Sequence, residues 1–201
     1  MKATDASNFW NQRYKNNATV YGWQPNMFFK EYIDNAEAGT LLLPCEGEGR
    51  NAIYAAKKGW QVSAFDFSSI AVEKALQKAN EENVSINYIQ KSIEEYMPDK
   101  QYQLIASIYV HIAESSRKLF HQQLIASLQP KGTILLEAFH KNQINHTSGG
   151  PQSTQLLYSK EELMADFSGL TITLLEEKDI YLTEGAFHNG HASVIRMIAN
   201  N

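Results

Sequence analysis

The chain has 201 residues, 43% hydrophobic and 11% aromatic, enough for one domain that buries about 70% of its unfolded surface. A net charge of −4 with scattered lysines offers no basic stripe for nucleic acid, the single cysteine, Cys45, excludes an internal disulfide, and six histidines without tight ligand spacing give no metal signal. No apolar run reaches about 18 residues and no charged-then-apolar leader is present, so a soluble, cytoplasmic protein acting on small molecules, with no membrane partner and an open oligomeric state, is expected.

In chain order, residues 7–15 and 26–35 read as two short helices separated by Tyr21-Gly22-Trp23-Gln24-Pro25. Aromatics beside Gly and Pro suggest a packed lid over residues 1–38, ahead of a core at 39–201; Trp10 and Trp23 serve equally well as cover for that core. Leu41-Leu42-Leu43 is the apolar run of a parallel strand, and Pro44-Cys45-Glu46-Gly47-Glu48-Gly49 breaks it. A helix over 50–58 follows, with Ile53 and Ala56 on its apolar stripe and Gly59 at its stop. Residues 60–66 are a second strand closing on Asp66. This strand, glycine turn, helix and strand form a nucleotide cradle. Gly47 and Gly49 let the backbone turn sharply and a ligand come close, free N–H groups open the helix, and Asp66, about 20 residues on, offers two oxygens to the hydroxyls of a ribose.

Ser68 or Ser69 caps a helix reaching about residue 80 with Ile70, Ala71, Ala75 and Leu76 inward. Residues 86–89 and 103–108 are the third and fourth strands, and His111 lies just past the latter. Residues 115–128 form an amphipathic helix with Leu119, Leu124, Ile125 and Leu128 inward, closed by Pro130-Lys131-Gly132. A fifth strand at 133–139 ends in His140. The polar segment 141–155, with Gly149-Gly150-Pro151, has the length and composition of a mobile active-site cover. After a helix at 159–167, strands at 170–176 and 193–198 close the sheet, antiparallel through the connection 179–192. The expected fold is α/β: a single Rossmann-like domain with a mostly parallel seven-stranded sheet, an antiparallel last strand, and helices on both faces. Ligands in such sheets bind beyond the carboxyl ends of the strands, where Gly47, Asp66, Ser107, His111 and His140 fall, with cofactor on one side of the cleft and histidines on the other.

Two cofactors suit the turn. Gly47-Glu48-Gly49-Arg50-Asn51-Ala52 matches G-x-G-x-x-A, the pattern of a nicotinamide dinucleotide site. The one Tyr-x-x-x-Lys pair, Tyr54 with Lys58, lies inside the first core helix, however, and the chain leaves no room for a substrate domain. The sequence also resembles the class I S-adenosylmethionine-dependent methyltransferases, and within them the small tellurite-resistance and thiopurine methyltransferase-like branch. The resemblance runs through Phe9-Trp10-Asn11-Gln12-Arg13-Tyr14, Tyr21-Gly22-Trp23-Gln24-Pro25-Asn26, the glycine turn, Phe139-His140, Thr147-Ser148-Gly149-Gly150-Pro151, and Phe187-His188-Asn189-Gly190-His191-Ala192. It implies S-adenosylmethionine as cofactor, with Trp10 and Arg13 near its carboxylate and Tyr21 and Gly22 along its flank. It also implies Cys45, Glu46, Gly47, Gly49 and Asn51 in the turn, Asp66 at the ribose, Phe67 against the adenine, Ser92 and Ile93 at the adenine edge, and Ser107 completing the set. Leu43 stands where the family carries its first-strand acid, Cys45 at its first glycine, and Ser92 at its third-strand acid. Glu46 partly replaces the first of these, and Ser92 keeps a hydroxyl acceptor.

Methyl transfer from a sulfonium is an in-line displacement, so holding the partners collinear can account for about 7–11 kcal/mol of barrier, and a base is optional for soft nucleophiles. His188 matches the family's C-terminal histidine near the acceptor, with His140 and His111 as further candidates for proton handling. Asn189 replaces the arginine that often follows, which weakens the case for an anionic tellurium substrate. The expected function is S-adenosylmethionine-dependent methyl transfer to a small-molecule acceptor, a thiol or a tellurium or selenium species. The alternatives are a cofactor-binding protein without turnover and a nicotinamide-dependent oxidoreductase.

Overall fold

A computed structural model describes residues 3–201. In chain order it contains α1 (Ala3–Lys15), α2 (Met27–Asn35), β1 (Thr40–Pro44), α3 (Arg50–Lys57), β2 (Gln61–Asp66), α4 (Ser69–Glu81), β3 (Asn87–Gln90), β4 (Tyr102–Ile108), α5 (Glu114–Ala126) and β5 (Leu128–Phe139). Two single-turn helices (Lys141–Asn145 and Thr154–Leu156), α6 (Lys160–Asp166), β6 (Thr171–Thr183) and β7 (Asn189–Asn200) complete it. The sheet has the order β3-β2-β1-β4-β5-β7-β6. β1, β2 and β3 pair in parallel, as do β4 and β5, while β7 runs antiparallel to both β5 and β6. The expected α/β sheet is thus present, flanked by helices.

The chain divides into two compact units, one running through Glu95 and including Glu184–Ala186, the other made of Tyr96–Thr183 and Phe187–Asn201. In the first, Leu41, Leu42 and Leu43 are buried as a doubly covered parallel strand requires. Helix α4 buries Ala71, Val72, Ala75 and Ala79. Leu76, expected inward, is 41% exposed, because it lies about 100° around the helix from Ala75 and off the alanine face. That face is small for a reason: a Cβ on Gly49 would stand 2.8 Å from the Ala75 Cβ. An ion pair, Lys74 with Glu48, helps fasten the N-terminal arm. Lys74 Nζ donates to the carbonyls of Tyr14 (2.7 Å) and Asn17 (2.6 Å) and pairs with Glu48 (3.0 Å), so it caps the Tyr14 carbonyl in the last turn of α1 and holds the chain just after it. Glu48 in turn accepts the N–H of Val20 at 2.7 Å, and Asn26 caps α2 through Phe29 N–H at 3.0 Å.

In the second unit α5 buries Arg117, Phe120, His121 and Leu124, whereas Leu119, expected inward, is 62% exposed. The helix also ends earlier than its pattern suggests, at Ala126, and Pro130-Lys131-Gly132 lie within β5. An irregular register between Tyr102 and Leu104 absorbs them there, with Lys131 at φ 66°. β6 runs far beyond the expected 170–176. It is an edge strand paired through β7, so Glu177, Lys178 and Asp179 are exposed without breaking the ladder. Segment 141–155 is pinned rather than mobile. The buried Gln143 donates to Ser148 Oγ and to the Gly149 carbonyl, both at 3.0 Å, and accepts Ser193 N–H at 2.8 Å.

Candidate functional site

The bend after β1 is built by three positive φ angles, 50° at Cys45, 65° at Gly47 and 81° at Gly49, the left-handed region that side chains other than glycine resist. It brings Gly47 N–H to one oxygen of Asp66 (3.0 Å), while Ser68 N–H takes the other (2.8 Å). Asp66 is 4% exposed, and desolvation pushes its carboxyl up from 3.8 to about 6. Each of its oxygens has a further lone pair. A buried carboxylate with two backbone donors and spare acceptor capacity suits a vicinal diol, so the residues present fit the ribose of an adenosyl cofactor.

The N–H groups opening α3 are not free, contrary to expectation. The Glu46 carboxyl accepts from Asn51 N (2.8 Å), Ala52 N (2.9 Å) and Asn51 Nδ2 (3.1 Å), filling the place where a helix N-terminus would hold a phosphate. Burial lifts this group from 4.5 to about 7 against those hydrogen bonds. A carboxyl raised in the folded state contributes stability that is full below its unfolded value of 4.5 and is lost as pH rises through about 7. Glu46→Gln should therefore melt progressively higher than wild type across that window and hold a constant lead above it. Melting curves over pH check this, and a difference independent of pH contradicts it.

Tyr14 and Tyr88 close the bend, and the sequence reading passed over both. A Cβ on Gly47 would stand 2.8 Å from the Tyr14 hydroxyl, and Tyr88 donates to the Gly47 carbonyl at 2.7 Å. Tyr14 ends a run already singled out, and Tyr88 is the inward residue of β3 by alternation. Burial also pushes the Cys45 thiol up, reinforced by Asp66, which leaves it a spacer rather than a nucleophile.

Of the expected flank residues, Trp10 is half-buried and stacks on Tyr14 at 5.6 Å. Arg13 lies over the rings of Phe9 and Trp10 at 4.5 and 5.1 Å and bonds the Tyr21 side chain. Trp23 is exposed, with Lys78 over its ring at 5.5 Å. Gly22 sits at φ 71°. Phe67 is half-buried beside Asp66, as are Ser92 and Ile93 beyond β3. Ser92 N–H donates to Glu95 at 2.9 Å.

In the second unit Ser107 is buried one residue before the end of β4. Tyr109, His111, Phe139 and His188 form one ring cluster. His188 meets Tyr109 edge-on at 4.7 Å and Phe139 at 5.3 Å, and His111 stacks on Phe139 at 5.5 Å. Gly149 and Gly150 back onto it so closely that a Cβ on either would come within 2.6 Å of His188 or Phe139. Both nitrogens of His111 are engaged, Nδ1 with the Leu156 carbonyl (2.7 Å) and Nε2 with Phe139 N–H (3.4 Å), and desolvation lowers it to about 4. His140 accepts Asn142 N–H at 3.2 Å and faces Glu177 at 3.5 Å. Among the described residues no group of three His, Cys, Asp or Glu side chains could hold a metal, and no helix is long and apolar enough to cross a membrane.

The sheet order and the strand, bend, helix and strand that close on Asp66 define a class I methyltransferase fold. The family profile of the thiopurine S-methyltransferases matches residues 5–198, and the chain belongs to that family. A ubiquinone biosynthesis O-methyltransferase of Rickettsia bellii is 28% identical over 112 residues, 56% of this chain and 46% of that protein. The chain thus spans about half the length of the curated relatives it matches. Among solved structures, TehB from Haemophilus influenzae superposes with TM-score 0.71 at 16% identity, over 97% of this chain and 66% of its own. Magnesium protoporphyrin IX methyltransferase from Synechocystis, solved with S-adenosylhomocysteine, gives 0.70 at 15%, over 98% of both chains.

Proposed function

We propose that the chain is a single methyltransferase domain, with residues 1–38 as its lid, that transfers a methyl group from S-adenosylmethionine to a neutral small-molecule acceptor in the cytoplasm. One observation carries the choice of cofactor: the carboxyl of Glu46 occupies the N-terminus of α3 while Asp66 keeps its acceptor capacity. A dinucleotide needs that helix end for its pyrophosphate, and an acid seated there excludes it. A cationic adenosyl donor has no phosphate to place.

S-adenosylmethionine supplies a methyl group made electrophilic by its sulfonium, which leaves the protein the tasks of holding, orienting and excluding water. Asp66 takes the ribose, the Gly47–Gly49 backbone lies along the adenosyl group, and Trp10, Arg13, Tyr21 and Gly22 flank the methionine end. Phe67, Ser92 and Ile93 receive the adenine, and Ser107 completes the set. Proton handling falls to His188, with His140 and His111 as further candidates, both nitrogens of His111 being held by backbone groups. The rings of Tyr109 and Phe139 around His188, with His111 held neutral beside them, favour a thiol over a tellurite or selenite oxyanion.

The test is methyl transfer from methyl-labelled S-adenosylmethionine to a panel of small thiols, phenols, selenite and tellurite. Label on a thiol is the expected result. Binding of S-adenosylhomocysteine without label on any acceptor points instead to a cofactor-binding protein without turnover.

A further inference from the structure

Glu184–Ala186, the tip between β6 and β7, belongs to the N-terminal unit although Thr183 and Phe187 on either side do not. The ties are specific. Glu184 pairs with Arg50 at 2.8 Å, their side chains only 11% and 9% exposed, and its other oxygen takes Asn26 Nδ2 at 3.4 Å. Arg50 also points at the carbonyls of Tyr21 (3.5 Å) and Gln24 (3.4 Å). Gly185, at φ 75°, lies backbone to backbone on the same loop: a Cβ there would stand 2.7 Å from the Val20 carbonyl oxygen and 3.0 Å from Gly22 N.

We infer that Glu184–Ala186 is a strap that holds the loop from Tyr21 to Gln24 in its cofactor-binding position, with Glu184 as a positioning residue; this rests on the methyl-donor reading above. Removing two charges from water is costly, and such a pair is well suited to fixing register between segments. The connection continues into the bend. Asn26 N–H donates to Asn51 Oδ1 at 2.9 Å, and Asn51 Nδ2 donates to Glu46 at 3.1 Å. On the other side the Tyr21 side chain takes Arg13. A strap that lets go frees the loop from Tyr21 to Gln24.

Glu184→Gln removes the charge and keeps the shape, and Gly185→Ala strains the same contact without touching a charge. Calorimetric titration with S-adenosylhomocysteine and amide exchange of residues 20–24 read both variants. Affinity is expected to fall about tenfold, with faster exchange of 20–24 in the free protein and unchanged exchange in β1 and β2. A merely structural pair lowers the melting temperature and leaves the affinity of the folded protein alone. Wild-type affinity with wild-type exchange in a folded variant overturns the strap, and Gly185→Ala decides alone where Glu184→Gln does not fold. A wild-type chain that binds no S-adenosylhomocysteine overturns the methyl-donor reading, and the strap's role in binding falls with it.

Discussion

Asp66→Ala is expected to weaken S-adenosylhomocysteine binding by more than about 100-fold, since two hydroxyls bonded to a charged acceptor are worth about 1.5–3 kcal/mol each. Stability should hardly move, because two effects oppose each other. Burial lifts the carboxyl from 3.8 to about 6, so the ionised group costs about 3 kcal/mol at neutral pH, which the variant regains. Against this, the N–H groups of Gly47 and Ser68 lose their acceptor at about 1–3 kcal/mol each. Calorimetry and thermal melting separate the two effects. Unchanged affinity in a folded variant means the ribose is held elsewhere.

Asp166→Ala should show the opposite division. Its carboxylate receives Arg117 Nε at 2.8 Å and His121 Nδ1 at 2.9 Å, and the three side chains are 5%, 5% and 1% exposed. Removing the shared acid leaves a buried guanidinium with Glu162, at 3.5 Å, as its remaining ion-pair partner among the described residues. Breaking such a pair costs about 3–5 kcal/mol, which in a chain of this size lowers the melting temperature by about 10 °C. Circular dichroism melting measures it, and affinity for S-adenosylhomocysteine well below the transition should stay at the wild-type level. A variant that melts with wild type contradicts a structural role for the cluster.

That cluster also explains where the sequence misled. Arg117 and His121 share the buried face of α5 with Phe120 and Leu124, so polar side chains sit inside and Leu119 outside, and hydrophobic periodicity alone picks the wrong stripe. In the first unit the strand, bend, helix and acid were legible because local steric demands write them: an apolar run, two glycines and a carboxylate at strand end. The function of Glu46 was not. Its carboxyl reaches the start of α3 through a bend in which Cys45 adopts a left-handed φ of 50°, a choice no propensity marks. Glu184 was invisible for a different reason. Its partner Arg50 lies 134 residues away, and nothing in a single sequence pairs charges across that separation. Segment 141–155 looked mobile by composition, yet the buried amide of Gln143 ties its middle, at Ser148 and Gly149, to Ser193 of β7.

A crystal grown with S-adenosylhomocysteine is the most direct measurement of the cradle. Density is expected to place both ribose hydroxyls on the Asp66 carboxylate and the adenosyl group along Gly47 and Gly49. Ligand density in another part of the fold, or a bend still closed by Tyr14 at saturating ligand, contradicts it.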